Sequence, residues 1–382
     1  METIQMKKQL LAVAVASAFA STAFAANVTV YGSVDTGLVY TNQSFGGAYT
    51  QEFNRQDTNK FSMDSGVLGA SKFGFKGTED LGDGYSVSFQ LENGFSSDTG
   101  TLSGADDNKL FDREARLSLN TPYGTVSFGR MGSLTSGAGT YDVFQATGDS
   151  LDGGNSDYIG TGYWFDRARY DNMITLVTPE ANGFTGYAQY SFQTKGTEDA
   201  SVRNNNRYAA LGLTYTAGAL NVAVVADTVL YSNSTFVTTD AYTDGEVSDA
   251  NAISFGVNYD FGVTKAFFGA QYGKNEKLDL TAFDGKKESY GFVKGYNLHL
   301  GAATPLPCGT LTVSAYYGDY EDVNDNAVTF KKYGIGAMHE YALSKRTTFY
   351  TGAGFAQYEM ENDEIAGRVK GVNVTLGLNH KF

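Results

Sequence analysis

The sequence contains little cysteine, proline or histidine, and few charged residues for its length. Among 382 residues there are one Cys, four Pro and three His, and charged residues make up 18%, where about 25% is usual. The single Cys308 excludes an internal disulfide framework and a Cys-based zinc site. His299, His339 and His380 offer little for catalysis or metal binding, so we predict no cofactor and no bound metal.

The residues that are abundant are glycine and the aromatics. The chain has 46 Gly, 26 Tyr and 26 Phe, and aromatic residues make up 14% of it. Intrinsically disordered chains carry few aromatics, so this composition excludes disorder. The formal net charge of −14 would repel a phosphate backbone, and we therefore expect no nucleic-acid partner.

The first 25 residues have the organisation of an export signal. Lys7 and Lys8 precede an apolar run over residues 10–20, and an Ala-Phe-Ala sequence follows at residues 23–25. The apolar run is about half as long as the roughly 20 residues that a membrane-spanning helix needs. We expect a signal peptide over residues 1–25 that is cleaved during export to the periplasm, and a single mature domain over residues 26–382.

The rest of the chain alternates between apolar and polar residues. In the segment ISFGVNYDF, which begins at Ile253, every second residue is apolar or aromatic and the residues between them are polar or glycine. The same period of two starts again at Tyr85, and it also runs up to the C-terminal Phe382. A period of two over eight or more residues predicts β-strands with one apolar face.

We count sixteen such runs, and the spacers between them alternate between short and long. One long spacer covers residues 132–166. The predicted strands lie near residues 28–41, 67–77, 84–95, 110–120, 124–131, 167–178, 183–193, 206–217, 219–231, 251–261, 263–274, 289–304, 309–320, 329–342, 346–360 and 367–382.

Two architectures would bury one apolar face per strand. A soluble sandwich packs the apolar faces together, whereas a transmembrane barrel turns them to lipid and leaves the polar faces around a lumen. The even number of strands, the alternating spacer lengths and the Tyr- and Phe-rich apolar faces favour the barrel. A closed barrel also satisfies every backbone polar group within lipid, which an open sheet does not. We therefore predict an all-β fold, a sixteen-stranded antiparallel transmembrane barrel with short periplasmic turns and long extracellular loops.

Several segments resemble one protein family in detail. They are NVTVYGSVDTGLVY (27–40), SKFGFKGTEDLGDGYSVSFQLENGF (71–95), LFDREARLSLNTPYGTVSFGR (110–130), RARYDNMITLVTPEANGFTGYAQY (167–190) and the terminal GLNHKF (377–382). Together they resemble the general diffusion porins of Gram-negative outer membranes, in their β-proteobacterial and neisserial-type trimeric branch. The block FGFKGTEDLGDG is the most specific of these matches.

The resemblance implies a homotrimer in the outer membrane, through which ions and small hydrophilic solutes diffuse passively in a water-filled channel. It implies that a long third loop, here about residues 132–166, folds into the lumen and narrows it to an eyelet. The family's PEFGG-like loop sequence is absent here. Other implied partners are outer-membrane lipid, including lipopolysaccharide, and the outer-membrane assembly machinery, which recognises a terminal aromatic residue, here Phe382.

Alternation and the resemblance together select the residues expected at the eyelet. The predicted basic wall consists of Lys72, Arg116, Arg130 and Arg169. Lys72 stands where the family motif has an Arg, which keeps the charge but loses the planar fork. The acidic loop candidates are Asp142, Asp149, Asp152 and Asp157, led by Asp149 and Asp152. Asp35 and Glu114 are expected to face the lumen as well.

Alternatives stay open for single residues and for the function. Lys72 and Arg116 could be ordinary wall charges away from the narrowest point, and Arg130 could instead pin the base of the loop. The chain has no G-x-S-x-G, H-E-x-x-H or P-loop motif, so we predict no catalytic residue and no enzyme. A sugar-specific channel, a barrel hydrolase and a soluble adhesin or lectin are the weaker alternatives. The sugar channel is disfavoured because we see no aromatic ladder facing the lumen.

Overall fold

The computed structural model describes most of the chain after the predicted signal peptide. The described residues are 28–47, 56–104, 108–137, 139–144, 165, 167, 169–232, 248–281, 287–362 and 366–382. The signal peptide and most of the predicted constriction loop, including Asp149, Asp152 and Asp157, lie outside these residues.

The described chain is built from antiparallel strands. They are β1 (Thr29–Gly47), β2 (Thr58–Ser65), β3 (Lys72–Gly82), β4 (Tyr85–Gly94), β5 (Glu114–Thr121), β6 (Gly124–Gly132), β7 (Arg169–Val177), β8 (Phe184–Ser191), β9 (Arg207–Ala217), β10 (Leu220–Leu230), β11 (Ala250–Asp260), β12 (Lys265–Thr281), β13 (Lys287–Leu306), β14 (Gly309–Asp322), β15 (Thr329–Ala342), β16 (Thr347–Glu361) and β17 (Ala366–Lys381). One turn of 3₁₀ helix, Val202–Asn204, is the only helical element in these ranges. Among the described residues, no helix is long and apolar enough to cross a membrane.

The sheet closes on itself into a barrel. From β3 onwards each strand pairs with the next along the chain, and β17 pairs back onto β1. β2 pairs with residues 36–43 of β1 and β3 pairs with residues 29–33, so the two are halves of one barrel strand that is interrupted at residues 66–71. The barrel therefore has sixteen strands, which confirms the predicted fold class. The prediction was wrong for β2, which the sequence analysis left in a spacer.

The outer face of the barrel is apolar. On β17 the side chains of Val372, Leu376 and Leu378 are between 40% and 49% exposed, whereas the intervening Asn373 and Thr375 are buried. Outward apolar side chains recur on the other strands and form a belt around the barrel. Such a continuous apolar surface is unfavourable in water but matches the hydrocarbon core of a membrane.

Short connections gather at the end of the barrel that also holds the chain terminus. Between β3 and β4 the turn residues Asp83 and Gly84 have φ values of 52° and 80°. Two successive positive φ values define a type I′ turn, whose twist matches that of the flanking strands. β3 continues to Gly82, so this turn is tighter than the spacer over residues 77–83 that the sequence analysis predicted.

The segment after β6 turns into the barrel interior. Leu134, Val143 and Phe144 are at most 4% exposed. They pack in one cluster with inner-face residues of β7 to β11, among them Met173 and Val225. The first limb of the long loop therefore lies against the inner wall, on the side formed by β7 to β11.

Aromatic side chains also occupy the inner face, where the sequence analysis had not placed them. Tyr316 and Tyr320 on β14, Phe330 on β15, and Tyr350 and Tyr358 on β16 are all at most 8% exposed. They pack in clusters with chain segments inside the barrel rather than standing as an exposed ladder. Because aromatics occur on both faces of these strands, alternation alone did not separate the inward ones.

Candidate pore constriction

One sector of the inner wall gathers basic side chains. Lys72 and Lys76 come from β3, Arg116 from β5 and Arg169 from the start of β7, while Arg113 directly precedes β5. Arg169 interacts electrostatically with both Arg113 and Lys72, so these three cations are close neighbours. We call these five residues the basic wall.

Glu92 on β4 holds part of the basic wall together. Its side chain is only 3% exposed. One carboxylate oxygen accepts a hydrogen bond from Arg113 Nε at 2.7 Å, and the other lies 3.2 Å from Lys72 Nζ and 2.9 Å from the Tyr31 hydroxyl, which donates to it. A buried carboxylate is costly unless it is paired and hydrogen-bonded, and here two cations and a hydroxyl satisfy it. Lys76 Nζ lies over the Tyr31 ring, 5.1 Å from its centre.

Arg116 is fixed by partners on its own and neighbouring strands. Its Nε donates to Glu114 at 3.1 Å, and its terminal nitrogens donate to Ser118 at 2.6 Å and to Gln90 at 3.0 Å. The Gln90 amide in turn donates to the Tyr31 hydroxyl at 2.9 Å. The Arg116 and Glu92 groups therefore belong to one polar network, which orients the guanidinium.

The inward loop touches the wall at this network. The backbone N–H of Thr140 donates to Glu114 at 2.9 Å, and the Arg116 guanidinium lies 5.2 Å from the centre of the Tyr141 ring. The hydroxyl groups of Tyr141 and Ser127 are also hydrogen-bonded to each other. The described part of the loop and the wall thus meet where the basic side chains are concentrated.

One of the predicted basic residues, Arg130, occupies other surroundings. Arg130 donates to the backbone oxygen of Asp112 and to the Asp171 carboxylate, both at 2.6 Å, and Lys109 also pairs with Asp171 at 3.0 Å. These contacts join the ends of β6 and β7 to the segment before β5. They favour the alternative in which Arg130 pins the base of the loop, and its place at the eyelet stays a prediction.

The three predicted carboxylates that lie within the described residues, Asp35, Glu114 and Asp142, are buried rather than open to the lumen. Asp35 lies on the inner face of β1 but is 0% exposed, because residues 66–71 cover it. The expectation that Asp35 faces the lumen was therefore wrong. Glu114 is 2% exposed beneath the loop, and Asp142 accepts the backbone N–H of Phe144 at 2.7 Å within the loop itself.

A second contact between loop and wall lies at the other end of the long loop. Arg167 is 3% exposed, and its Nε donates to Asp227 on β10 at 2.5 Å. Its two terminal nitrogens donate to both oxygens of Glu276 on β12, at 2.6 and 2.5 Å. Burial alone would lower the pKa of Arg167, but Asp227 and Glu276 raise it well above its ordinary value. We call this group the Arg167 clamp.

Sequence analysis missed several residues of this site for different reasons. Glu92 and Gln90 stand on the polar face of a strand that alternation had identified, so the signal was present. Arg113 precedes its strand, where alternation does not apply. Tyr31 shares a strand face with Asp35, four residues away, so alternation places it inward, but an aromatic ring gave no signal of a polar role. Arg167 was passed over because the family motif matches Arg169.

Comparisons with known proteins all point to one family. Residues 12–362 match the family model of Gram-negative porins. The chain is 32% identical to an outer membrane porin protein of Bordetella pertussis and 30% identical to outer membrane porin protein 32 of Delftia acidovorans, each over 99% of this chain and 100% of the relative. These relatives indicate a channel rather than an enzyme.

Solved structures show the same fold at lower identity. An anion-selective porin from Comamonas acidovorans has a TM-score of 0.65 and 23% identity, covering 94% of this chain and 100% of that one. OmpT, an outer membrane protein of Vibrio cholerae in its trimer form, has a TM-score of 0.61 and 15% identity, with 94% and 100% coverage. These likenesses support the sixteen-stranded barrel.

Proposed function

Because the chain belongs to the Gram-negative porin family, we propose that its basic wall and inward loop form the eyelet of an outer-membrane diffusion channel. Transport through such a channel is passive, since solutes follow their own gradient and no residue need react. The long loop, about residues 132–166 of the mature domain 26–382, would narrow the lumen. Its described contacts with Glu114, Arg116 and Ser127 support this arrangement.

The observation that carries the proposal is the charge of the basic wall. Five cations stand there. Glu92 pairs with Lys72 and Arg113, Glu114 pairs with Arg116, and the charges of Glu92, Glu114 and Asp112 also act on Arg169. In a narrow lumen fixed charges select ions, and this excess favours anions. Overall net charge matters less, because exposed loop charges are screened within about 8–10 Å at physiological salt. The anion selectivity stated for the Comamonas acidovorans porin supports the same preference.

The loop carboxylates Asp149, Asp152 and Asp157 are proposed to oppose the basic wall, led by Asp149 and Asp152. A wall of one sign facing a loop of the other produces a field across the eyelet. That field orients water and dipolar solutes. A solute without polar groups would have to disrupt the oriented water, so small hydrophilic solutes and ions are the expected cargo.

The test of the eyelet is the zero-current potential across a planar bilayer with a KCl gradient. Arg116→Gln should shift this potential toward cations, because it removes one fixed positive charge next to the loop. Arg346 lies in the exposed short turn between β15 and β16. Arg346→Gln removes the same charge from that turn and should leave the potential unchanged. If the two variants behave alike at low salt, Arg116 does not line the constriction.

We also propose a homotrimer that reaches the outer membrane through a cleaved signal over residues 1–25 and the assembly machinery. The porin relatives and the trimer-form neighbour support this state. Native mass measurement of the unheated detergent extract should give three times the chain mass. A monomer mass alone would contradict the trimer without affecting the eyelet test.

A further inference from the structure

Residues 66–71, which interrupt the barrel strand between β2 and β3, lie inside the barrel. We call them the strand break. The backbone N–H groups of Val67, Leu68 and Gly69 donate to the Asp35 carboxylate, which lies on the inner face of β1. Val67 is 4% exposed and packs in one cluster with inward side chains of β1 and β16. The strand break therefore occupies space within the wall of the barrel and narrows the interior there.

Hydrogen bonds to β1 fix the position of the strand break. At its start, the backbone N–H of Gly66 donates to the Asp35 backbone oxygen at 3.1 Å. At its end, the Ser33 hydroxyl donates to the Ala70 backbone oxygen at 2.9 Å. The Ser71 hydroxyl donates to the Asp35 backbone oxygen and accepts from the Asp35 backbone N–H, both at 3.0 Å. A segment attached along its whole length to a closed sheet presents a fixed surface.

The surface that the strand break turns to the lumen is small and uncharged. Leu68, Gly69 and Ala70 are partly exposed, whereas the residues that flank these three are at most 4% exposed. Because the strand break lies inside a closed barrel, the exposed surface faces the lumen. These three side chains carry no charge and no hydrogen-bonding group. Among the described residues, a Cβ added to Gly69 would meet one atom within 4 Å, Asn379 Nδ2 at 3.9 Å, so the space above Gly69 is open.

The strand break borders the basic wall. Lys72 follows Ser71 directly and begins β3, where it stands opposite Ser33 of β1. The other basic side chains follow around the barrel towards β7, and the first limb of the long loop packs against β7 to β11. The basic wall therefore has the strand break on its β1 side and the loop on its β7 side.

We propose that the strand break forms a third, uncharged side of the eyelet and limits its width. This inference rests on the proposed eyelet, because the basic wall and the loop must bound the same opening. The charge of the basic wall selects ions, whereas the diameter of the opening limits which solutes pass. Gly69 keeps this side open, since any larger side chain at that position would enter the lumen.

Single-channel recording of the refolded full chain in KCl tests the width limit. Because pore diameter controls passage through a channel, Gly69→Leu should lower the conductance at least about twofold. The zero-current potential should stay near that of the parent, since leucine adds no charge. Gly46→Leu is the matched control. Gly46 follows the inward Phe45 on β1 and lies on the outer face beside Arg368, so this variant should keep the conductance of the parent.

A cysteine variant tests the same position with a smaller substitution. C308S/G69C has a single thiol, which methanethiosulfonate reagents modify in the open channel. The 2-sulfonatoethyl reagent adds a negative charge and should shift the zero-current potential toward cations. The 2-(trimethylammonium)ethyl reagent adds a positive charge and should shift it toward anions. Both reagents should lower the conductance.

The parent chain is the control for these reagents. Its Cys308 is exposed in the turn between β13 and β14, away from the proposed eyelet. Treatment with either reagent should therefore modify the parent without changing its conductance or its zero-current potential.

Two results would overturn the inference. One is a parent-like conductance of Gly69→Leu, with folding verified by the heat-dependent shift in gel mobility. The other is a thiol in C308S/G69C that stays unmodified by mass spectrometry, or that is modified with no change in the current. If Gly69→Leu does not fold, the result with C308S/G69C decides.

Arg116→Gln separates a failure of this inference from a failure of the proposed eyelet. A shifted potential for Arg116→Gln with a parent-like current in both Gly69 variants would contradict the role of the strand break and leave the eyelet standing. An unchanged potential for Arg116→Gln with a lower conductance of Gly69→Leu would contradict the basic wall and support the strand break as a limit on the width of the lumen.

Discussion

Arg116, Arg130 and Arg167 differ in what their guanidinium groups contact, and these contacts separate their roles. Arg116 shares its hydrogen bonds with polar wall side chains and lies beside the Tyr141 ring. Arg130 binds a backbone oxygen and Asp171 at the base of the loop. Arg167 is buried between two carboxylates. Only Arg116 has the partners expected of a residue at the lumen.

The Arg167 clamp leads to a prediction about stability. Replacing Arg167 with Met leaves Asp227 and Glu276 buried without their cation, and breaking a buried ion pair in this way typically costs about 3–5 kcal/mol. The temperature of the mobility shift in detergent should therefore fall clearly. Open-channel current noise should rise as well, because the return limb of the long loop loses its attachment to β10 and β12.

Two further variants test whether these effects come from the buried ion pairs of the Arg167 clamp rather than from the loss of any arginine. The triple variant R167M/D227N/E276Q removes the unpaired charges and should recover much of the lost stability, while the current noise should stay high. Arg203→Gln, at an exposed position of the 3₁₀ turn, should resemble the parent in both measurements. If Arg167→Met is as stable and as quiet as the parent, the clamp does not hold the loop.

Whether the sequence predicts the position of these residues depends on whether they lie in strands, where apolar and polar residues alternate. Lys72 and Arg116 lie inside strands, where alternation with apolar neighbours places them on the inner face. Arg113 and Arg167 lie just outside strands, so only the folded loop brings them to their partners. The contacts of Arg130 depend on Asp171, which is distant in sequence, and no local signal separates pinning a loop from lining a pore.

At the scale of elements, the interrupted strand formed by β2 and β3 is the main departure from a regular barrel. Residues 66–71 leave the sheet and cover Asp35, whose carboxylate accepts the backbone N–H groups of Val67, Leu68 and Gly69 at 2.9, 3.4 and 3.3 Å. Tyr350 and Asn379 also donate to it, each at 2.9 Å. One carboxylate thus satisfies amides that the ladder no longer pairs.

Asp35→Asn should weaken the hydrogen bonds that hold residues 66–71, where the barrel strand is interrupted. The amide keeps the size of the side chain but removes charge-assisted acceptors, and hydrogen bonds to a charged group contribute roughly 1.5–3 kcal/mol each. Hydrogen exchange at the backbone amides of residues 67–69 should accelerate, while exchange in β17 stays slow. Asp64→Asn is the control, since within the described residues Asp64 accepts a single hydrogen bond, from Ser62 near the end of β2. Unchanged protection at residues 67–69 would show that Asp35 does not organise the break.

The break also shows why β2 escaped prediction. Its sequence TNKFSMDS offers only Phe61 and Met63 as alternating outward residues, 70% and 56% exposed. β2 is a strand because it pairs with residues 36–43 of β1, the part of β1 that β3 does not pair with, rather than because of its own composition. The other strands carry longer alternating runs, which is why their positions were predictable within a few residues.

At the scale of the whole molecule, the barrel is closed where its first and last strands, β1 and β17, pair with each other. Gly32 and Phe382 exchange backbone hydrogen bonds of 3.2 and 3.0 Å, and a Cβ on Gly32 would lie 2.5 Å from the Phe382 ring. Phe382 covers Gly32, and Gly37 faces inward beside Tyr350 and Val67, so neither of these small residues offers an outer surface for close packing between subunits.

Phe382 has two proposed roles: it closes the seam between β1 and β17, and it is the residue recognised by the assembly machinery. Phe382→Ala keeps both backbone hydrogen bonds and removes only the ring, which is 45% exposed; a half-buried ring should contribute less than the about 3–5 kcal/mol of a fully buried Phe. The purified variant should therefore refold in detergent with a modest loss of stability. In cells its folded yield should fall much further if, as we propose, the assembly machinery recognises the terminal aromatic. Tyr341→Ala removes an outward aromatic of similar exposure, 44%, at the same end of the barrel, and should leave the cellular yield near normal. Equal folded yields for Phe382→Ala and Tyr341→Ala in cells would mean that Phe382 acts only by closing the seam.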